Sequence, residues 1–196
     1  HVLFDQVRPN PTAGNVDDAA ALAVEEGCDF VVALGGGSVM DAAKAIALVA
    51  TNEGSCWDYA PSASGGQKTP EAAPLPLVCV TTSAGTGSEV DMWSVISNDE
   101  TQEKIGYASM YPTISVVDSD LMMSVPPTFT AWQGMDAFFH LCEGYFCSMS
   151  TPMSDMIDLH GVRLVADYLP RAVRDGSDME ARENMAFASS LGGYSM

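Results

Sequence analysis

The stretch GCDFVVALGGGSVMDAAKAIA, residues 27–47, decides the fold of this chain. Residues 30–34 are a short apolar run of the kind that forms a buried strand, and residues 40–51 are rich in helix formers. The turn Gly35-Gly36-Gly37-Ser38 joins the two. A strand that enters a helix through a glycine turn is the repeating unit of an α/β sheet.

The elements on either side continue this pattern. A helical run precedes it at residues 16–26, and further continuous apolar strands follow at residues 75–82 and 114–117. Apolar pairs on both sides of the polar turn 98–100 indicate a hairpin. Continuous apolar strands separated by helices predict a parallel sheet that is covered on both faces.

After residue 125 the chain changes character. Only helical patterns follow, at residues 128–145, 152–169 and 178–191. The sequence therefore predicts an α/β domain over residues 1–125, followed by a helical domain over residues 126–196.

Composition excludes several classes of partner. Of the 196 residues, 8 are Lys or Arg and 26 are Asp or Glu, so the formal charge of −18 repels nucleic acid and acidic membranes. No signal peptide is visible in these residues, and we find no apolar run of the roughly 20 residues needed to span a bilayer. Five cysteines without a C-x-x-C pair favour a reduced setting. We expect a soluble, cytoplasmic protein.

The glycine turn is a candidate phosphate site. Glycines let the backbone approach a ligand, and the N–H groups at a helix N-terminus attract anions. Many such turns only connect two elements, so on the motif alone both interpretations stay open. Asp41 is placed to anchor the turn, and Lys44 is predicted to lie on the helix surface.

A second glycine-bearing cluster, TTSAGTGSE at residues 81–89, also follows a buried strand. Open α/β sheets bind ligands at this position. Taken alone, the cluster is better explained as a Ser/Thr-rich turn that satisfies its own backbone. Two such clusters in one sheet favour a nucleotide.

A third feature, GMDAFFH at residues 134–140, places Asp136 and His140 on one helical face. Both side chains can bind one metal ion, although such pairs are more often a helix-surface hydrogen bond. The flanking sequence is apolar and predicts a buried Asp136, which favours a functional role because an unpaired buried carboxylate is costly. His160 is predicted to be structural.

Four segments together resemble the iron-containing, or group III, alcohol dehydrogenases, and most closely their butanol-dehydrogenase-like branch. They are PNPT (9–12), GCDFVVALGGGSVMDAAKAIA (27–47), GTGSEVDMWSVISNDETQEKIG (85–106) and GMDAFFHLCEGYF (134–146). The resemblance implies a Rossmann-like dinucleotide-binding domain, then an all-helical metal-binding domain, with the active site between them.

The resemblance also implies the site residues. Gly36, Gly37 and Ser38 match the pyrophosphate-binding turn, and Asp41 belongs to the same motif. Thr81, Thr82 and Lys104 match cofactor-contacting positions. Asp136 and His140 match the first two of four metal ligands, one Asp and three His, and are therefore the expected catalytic residues. The implied cofactors are NAD or NADP and Fe²⁺, with Zn²⁺ as the alternative.

The implied reaction is hydride transfer between the nicotinamide and a small primary alcohol or aldehyde, with the metal as Lewis acid. The implied assembly is a homo-oligomer, with a dimer expected. Trp132, Phe138 and Phe139 are candidates for an apolar substrate pocket, with ordinary packing as the alternative.

The chain departs from the family at both ends, and the resemblance therefore implies that residues 1–125 lack the first elements of the α/β domain and that residues 126–196 are the start of the all-helical domain. The two further His ligands and the residue that contacts the adenosine ribose are not in this sequence, so we expect an internal fragment that is inactive as it stands. Gln133 stands where many relatives have Thr. Two other functions stay open: a non-catalytic nucleotide-binding module, and a zinc-dependent polyol dehydrogenase of the same superfamily.

Overall fold

The computed structural model describes all 196 residues, His1–Met196. The helices are α1 (Ala13–Glu25), α2 (Gly37–Val49), α3 (Pro127–Phe146), α4 (Pro152–Arg174) and α5 (Met179–Ser195). The strands are β1 (Val31–Gly35), β2 (Leu77–Thr81), β3 (Trp93–Asn98), β4 (Glu103–Ala108) and β5 (Ile114–Val117). Short 3-10 helices cover Cys56–Tyr59 and Ser119–Met122.

The predicted fold class is confirmed. Strands β1, β2 and β5 form a parallel sheet in the order β1-β2-β5, and the chain ends in three helices. The predicted hairpin is also present, because β3 and β4 pair antiparallel from Trp93 opposite Ala108 to Asn98 opposite Glu103. None of the helices combines the length and the apolar character needed to cross a lipid bilayer.

Local sequence explains where several helices begin and end. The Thr12 hydroxyl accepts a hydrogen bond from the Asn15 N–H and caps α1, and Gly27 follows that helix with φ +63°. Pro127 occupies the first turn of α3, where a missing N–H costs nothing. Helix α4 continues past Pro170 to Arg174, although the pattern predicted its end at Leu169.

The chain folds into two compact units. The first contains His1–Cys79 and Met92–Ser115, and the second contains Val80–Asp91 and Val116–Met196. The domain boundary predicted near residue 125 stays a prediction. In the first unit, α1 and α2 pack against the hairpin around a core that includes Val16, Leu48 and Ile96.

In the second unit, α3, α4 and α5 pack around Leu141, Val165 and Met185. Small residues let the helices approach: a Cβ added at Gly161 would lie 2.4 Å from Leu141 Cδ2. The buried guanidinium of Arg182 joins the helix ends by donating to three oxygens: Gly176 O at 3.0 Å, Thr130 Oγ1 at 2.9 Å and Val125 O at 2.9 Å.

The expectation that the sheet is covered on both faces is wrong for β1 of this chain. Phe30, Val32 and Leu34 alternate along β1 and its approach, and they are exposed by 55%, 55% and 63%. Ala33 faces the other way and packs with Met40 and Ala43 of α2. Only one face of β1 is therefore packed, because successive side chains of a strand point to opposite faces.

Candidate functional site

The glycine turn presents backbone donors. Strand β1 ends at Gly35, and α2 begins at Gly37 after the cap residue Gly36, whose φ of −88° and ψ of −170° are extended. The first N–H groups of a helix have no carbonyl one turn earlier to accept them. No side chain caps this end of α2. These donors and the helix dipole suit an anionic group such as a phosphate.

Asn10 links two of the predicted cofactor residues. Its backbone N–H donates to Ser38 Oγ at 3.2 Å, and its Oδ1 accepts a hydrogen bond from Lys104 Nζ at 2.7 Å. Its φ of +56° lies in the left-handed region, which Asn tolerates better than most residues. The sequence alone assigned no role to Asn10. Its place in the family-like segment PNPT was the signal that could have indicated one.

Asp41 and Lys44 both hold the edge of β3. Asp41 Oδ2 accepts the Val95 N–H at 3.1 Å, and Lys44 Nζ donates to the Trp93 carbonyl at 2.9 Å. Lys44 is fully buried, so its predicted place on the helix surface is wrong. The reason is that the face of α2 with Lys44 packs under the hairpin, where a backbone carbonyl binds the ammonium at the end of its apolar stem.

In the TTSAGTGSE loop the Thr81 hydroxyl forms hydrogen bonds with the backbone of the loop. Thr81 is buried, and its Oγ1 donates to Ser83 O at 2.9 Å while accepting the Ser83 N–H at 3.3 Å. Thr82 is half-buried. The expected cofactor contacts of Thr81 and Thr82 stay predictions.

The same loop is attached to α3 near its middle. Gln133 Oε1 accepts the Ala84 N–H at 3.2 Å. A Cβ added at Gly85 would lie 2.9 Å from the Gln133 carbonyl oxygen, so only glycine permits this approach. The sequence alone gives Gln133 no role, because Gln133 and Ala84 are 49 residues apart and no local pattern connects them.

The second half of the loop lies against α5. Gly87 has φ +66°, and a Cβ there would lie 2.6 Å from both the Gly193 N and the Ser189 carbonyl oxygen. Ser190 Oγ donates to Glu89 Oε1 at 2.8 Å. Backbone therefore packs directly on backbone between the loop and α5.

Asp136 and His140 lie one turn apart on α3, with Asp136 Oδ1 3.9 Å from His140 Nε2. This separation exceeds that of a hydrogen bond. A tetrahedral or octahedral ion with bonds of about 2.1 Å holds neighbouring donors about 3.0 to 3.4 Å apart, so the two side chains would close by about half an ångström to bind one metal ion. His140 Nδ1 is buried and has no hydrogen-bond partner. No cluster of three or more His, Cys, Asp or Glu side chains is present, so this pair supplies two donors.

The prediction that Asp136 is buried is wrong. Its side chain is 46% exposed, compared with 20% for His140. Hydrophobic neighbours in sequence did not imply burial, because Met135 and Phe139 are also exposed. The cost of burying a carboxylate therefore gives no support to a functional role for Asp136, and the distance to His140 is the remaining support.

The aromatic side chains of α3 divide into two kinds. Trp132 and Phe139 are exposed by 63% and 56%, while Phe138 packs against the helical core. Trp132 and Phe139 are therefore accessible to a substrate, and Phe138 has the packing role given as the alternative.

The predicted site residues fall in both compact units. Gly36, Gly37, Ser38, Asp41 and Lys104 belong to the first unit, and Thr81, Thr82, Asp136 and His140 belong to the second. Within the first unit, Asn10 connects Ser38 to Lys104. Within the second, Gln133 connects the loop that follows Thr82 to the helix with Asp136 and His140.

Two family models match the chain. Residues 1–119 match "Iron-containing alcohol dehydrogenase", and residues 130–196 match "Fe-containing alcohol dehydrogenase family, C-terminal". Together they cover both the α/β part and the helices.

Individual relatives agree with the family models. Alcohol dehydrogenase 4 of Schizosaccharomyces pombe is 42% identical over 97% of this chain and 44% of the relative. 1,3-Propanediol dehydrogenase of Klebsiella pneumoniae is 42% identical over 97% of this chain and 49% of the relative. The structure of sulfoacetaldehyde reductase from Bifidobacterium kashiwanohense in complex with NAD⁺ superposes with a TM-score of 0.94 at 37% identity, covering 100% of this chain and 52% of that one.

The chain thus spans about half the length of the relatives that it matches. The motifs, the parallel sheet followed by helices, and these matches agree with one another. The chain belongs to the iron-containing alcohol dehydrogenase family.

Proposed function

We propose that the protein is an NAD- and iron-dependent oxidoreductase that interconverts a small primary alcohol and its aldehyde. The observation that carries the proposal is the pair Asp136 and His140, whose Oδ1 and Nε2 atoms lie 3.9 Å apart on α3 in a chain of this family. The pair lies in the same compact unit as the loop that contains Thr81 and Thr82.

The glycine turn supports the cofactor half of the proposal. The uncapped N-terminus of α2 at Gly36, Gly37 and Ser38 would bind the pyrophosphate through backbone donors. Lys104, oriented by Asn10, would add a positive charge in a chain of net charge −18. A nicotinamide bound in this way supplies hydride transfer. The relative solved with NAD⁺ favours NAD as the cofactor.

Asp136 and His140 would hold the metal. An iron ion there supplies Lewis-acid stabilisation of the substrate oxygen. Asp136 contributes a negative oxygen donor and His140 an imidazole nitrogen, and their places one turn apart on a rigid helix fix the direction from which both donors approach.

The substrate and the setting are proposed at a coarser level. Trp132 and Phe139 expose aromatic surface on α3, which suits a small apolar group beside the hydroxyl. All five cysteines are free, which supports a reducing compartment. The dimer and the cytoplasmic location stay predictions.

The test is iron content, NADH binding and alcohol oxidation of the protein in its full encoded length, with variants His140→Ala and Asp136→Asn. We expect about one iron ion per chain in the wild type and a loss of 10-fold or more in metal affinity in either variant, with NADH binding retained. His160→Ala is the matched control, because His160 is exposed on α4 and makes an edge-on ring contact with Phe187.

Two results would contradict the proposal. If the wild-type protein contains no iron and oxidises no alcohol when iron is supplied, the proposed dehydrogenase activity is wrong. NADH binding without metal or turnover would instead support the non-catalytic nucleotide-binding module.

A further inference from the structure

Gln133 is the side chain that attaches the first half of the TTSAGTGSE loop to α3. Its Oε1 accepts the Ala84 N–H at 3.2 Å, and Gly85 packs against its backbone. Gln133 lies three residues before Asp136 and seven before His140, so the three side chains follow one stripe of the helix.

The two halves of the loop depend on different contacts. The second half is fixed to α5 by the backbone contact of Gly87 with Gly193 and by the bond from Ser190 to Glu89. The segment from Thr81 to Gly85 is fixed instead by the end of β2, by the packing of Ala84 against the helical core and by Gln133. Gln133 is the side chain of α3 that hydrogen-bonds to this segment.

The bonds within that segment extend the effect of Gln133 towards the strand end. Gln133 holds the Ala84 N–H, and the preceding residue, Ser83, exchanges two hydrogen bonds with the Thr81 hydroxyl. Thr82 lies inside this closed turn. A displacement of Ala84 would therefore move the backbone at Thr81 and Thr82, the positions expected to contact the cofactor.

We propose that Gln133 is a positioning residue for the nicotinamide cofactor. Its side-chain amide holds the segment from Thr81 to Gly85 in register with the helix that carries Asp136 and His140. The proposal rests on the proposed function, because it assigns to Gln133 the alignment of a cofactor-contacting loop with a metal-binding helix.

The test compares two substitutions of similar length. Gln133→Met keeps the size of the side chain and removes the acceptor, whereas Gln133→Glu keeps an acceptor oxygen at the same reach. All measurements are made at about 1 M salt, where the Debye length is about 3 Å, so that the added charge of Glu is screened. Gln6→Met, at an exposed position, is the matched control.

Three readouts are taken on the full-length protein: hydrogen exchange of the peptide spanning residues 82–88, the Kd and KM for the cofactor, and iron content. Gln133→Met should accelerate exchange and raise both the Kd for NADH and the KM for NAD about 3- to 10-fold, the loss expected for one neutral hydrogen bond. Iron content should not change. Gln133→Glu should restore wild-type exchange and affinity.

The outcomes separate this inference from the proposed function. If the wild type binds NADH and iron but Gln133→Met leaves exchange and Kd unchanged, the positioning role is overturned and the function stands. Equal losses in the Met and Glu variants also overturn it, because the acceptor would not be the cause. A wild type that binds neither NADH nor iron overturns the proposed function itself.

Discussion

The two glycine-bearing turns of this molecule are built in opposite ways. The turn at Gly36 and Gly37 follows from local sequence: a strand ends, a helix begins, and no side chain caps the helix N–H groups. Its one distant contact described above is the bond from Asn10 to the neighbouring Ser38. The loop at residues 81–89 is fixed by distant partners, since Gln133, Ser189 and Gly193 determine its path. The first turn keeps its backbone N–H groups available to a ligand, whereas the position of the second loop depends on its contacts with α3 and α5.

The largest expected effect comes from breaking the attachment at Gly87. Gly87→Ala places a Cβ 2.6 Å from backbone atoms of Ser189 and Gly193 and forces alanine to φ +66°. We expect a loss of about 2 to 4 kcal/mol in the free energy of unfolding, measured by denaturant titration.

The control for that variant is Gly14→Ala in α1. A Cβ at Gly14 meets nothing within 4 Å, so the same substitution should be neutral or slightly stabilising. If Gly87→Ala were as stable as Gly14→Ala, the loop would not be held against α5 as described.

A second test addresses the helices under the loop. Asp158 on α4 is fully buried, and its carboxylate oxygens lack a hydrogen bond of good geometry. Burial raises its pKa from the ordinary 3.8, although the nearby Ser195 hydroxyl lowers it. Since the folded state favours the protonated form, the contribution of Asp158 to stability is complete below pH 3.8 and is lost as the pH rises through the raised pKa.

Asp158→Asn should therefore stabilise the protein at pH 7 by roughly 1 kcal/mol and flatten the fall in stability above pH 4, measured as thermal unfolding against pH. Exchange of the peptide at residues 82–88 should not change, because no hydrogen bond joins Asp158 to the loop. Asp167→Asn, at an exposed position of the same helix, is the control and should leave the pH dependence unchanged. The raised pKa of Asp158 would be contradicted if the wild type became more stable as the pH rises above 4 and Asp158→Asn did not change that dependence.

The smallest effect concerns the local turn. Lys104→Met removes the ammonium that Asn10 orients, and should weaken NADH binding about 3-fold at low salt with a smaller change at high salt. Lys68→Met, which removes a cation paired with Asp58, is the control and should leave the Kd unchanged. Equal effects of the two variants would indicate a general charge effect and not a contact at the turn. Fluorescence titration measures both.

The contrast between the turns also explains what the sequence could predict. Strand β1, the glycine turn and α2 were predictable because their signals are contiguous, and the hairpin because its turn separates two apolar pairs. The pairing of Asp136 with His140 was predictable because a helix fixes the spacing. The bond from Gln133 to Ala84 was not, because it joins residues 49 apart.

The errors have the same origin. Lys44 looked like a surface residue by its charge, and only the packing of α2 under the hairpin shows that its ammonium binds the Trp93 carbonyl. Asp136 looked buried because its neighbours are apolar, and only the arrangement of the helices shows that Met135 and Phe139 are exposed as well. Periodicity identifies a helix more reliably than it identifies which face has a partner.

The buried Lys44 gives the molecule an internal reporter of opening. The sequence contains three lysines, and in the folded chain Lys68 and Lys104 are exposed at the surface while Lys44 is fully enclosed. An amine-acylating reagent should modify the first two at once and reach Lys44 only when α2 separates from the hairpin. The mass of the peptide that contains Lys44, followed against time, would then report this opening without a fluorophore or an engineered residue. It gives the opening rate when acylation is faster than reclosing, and the population of the open form when acylation is slower.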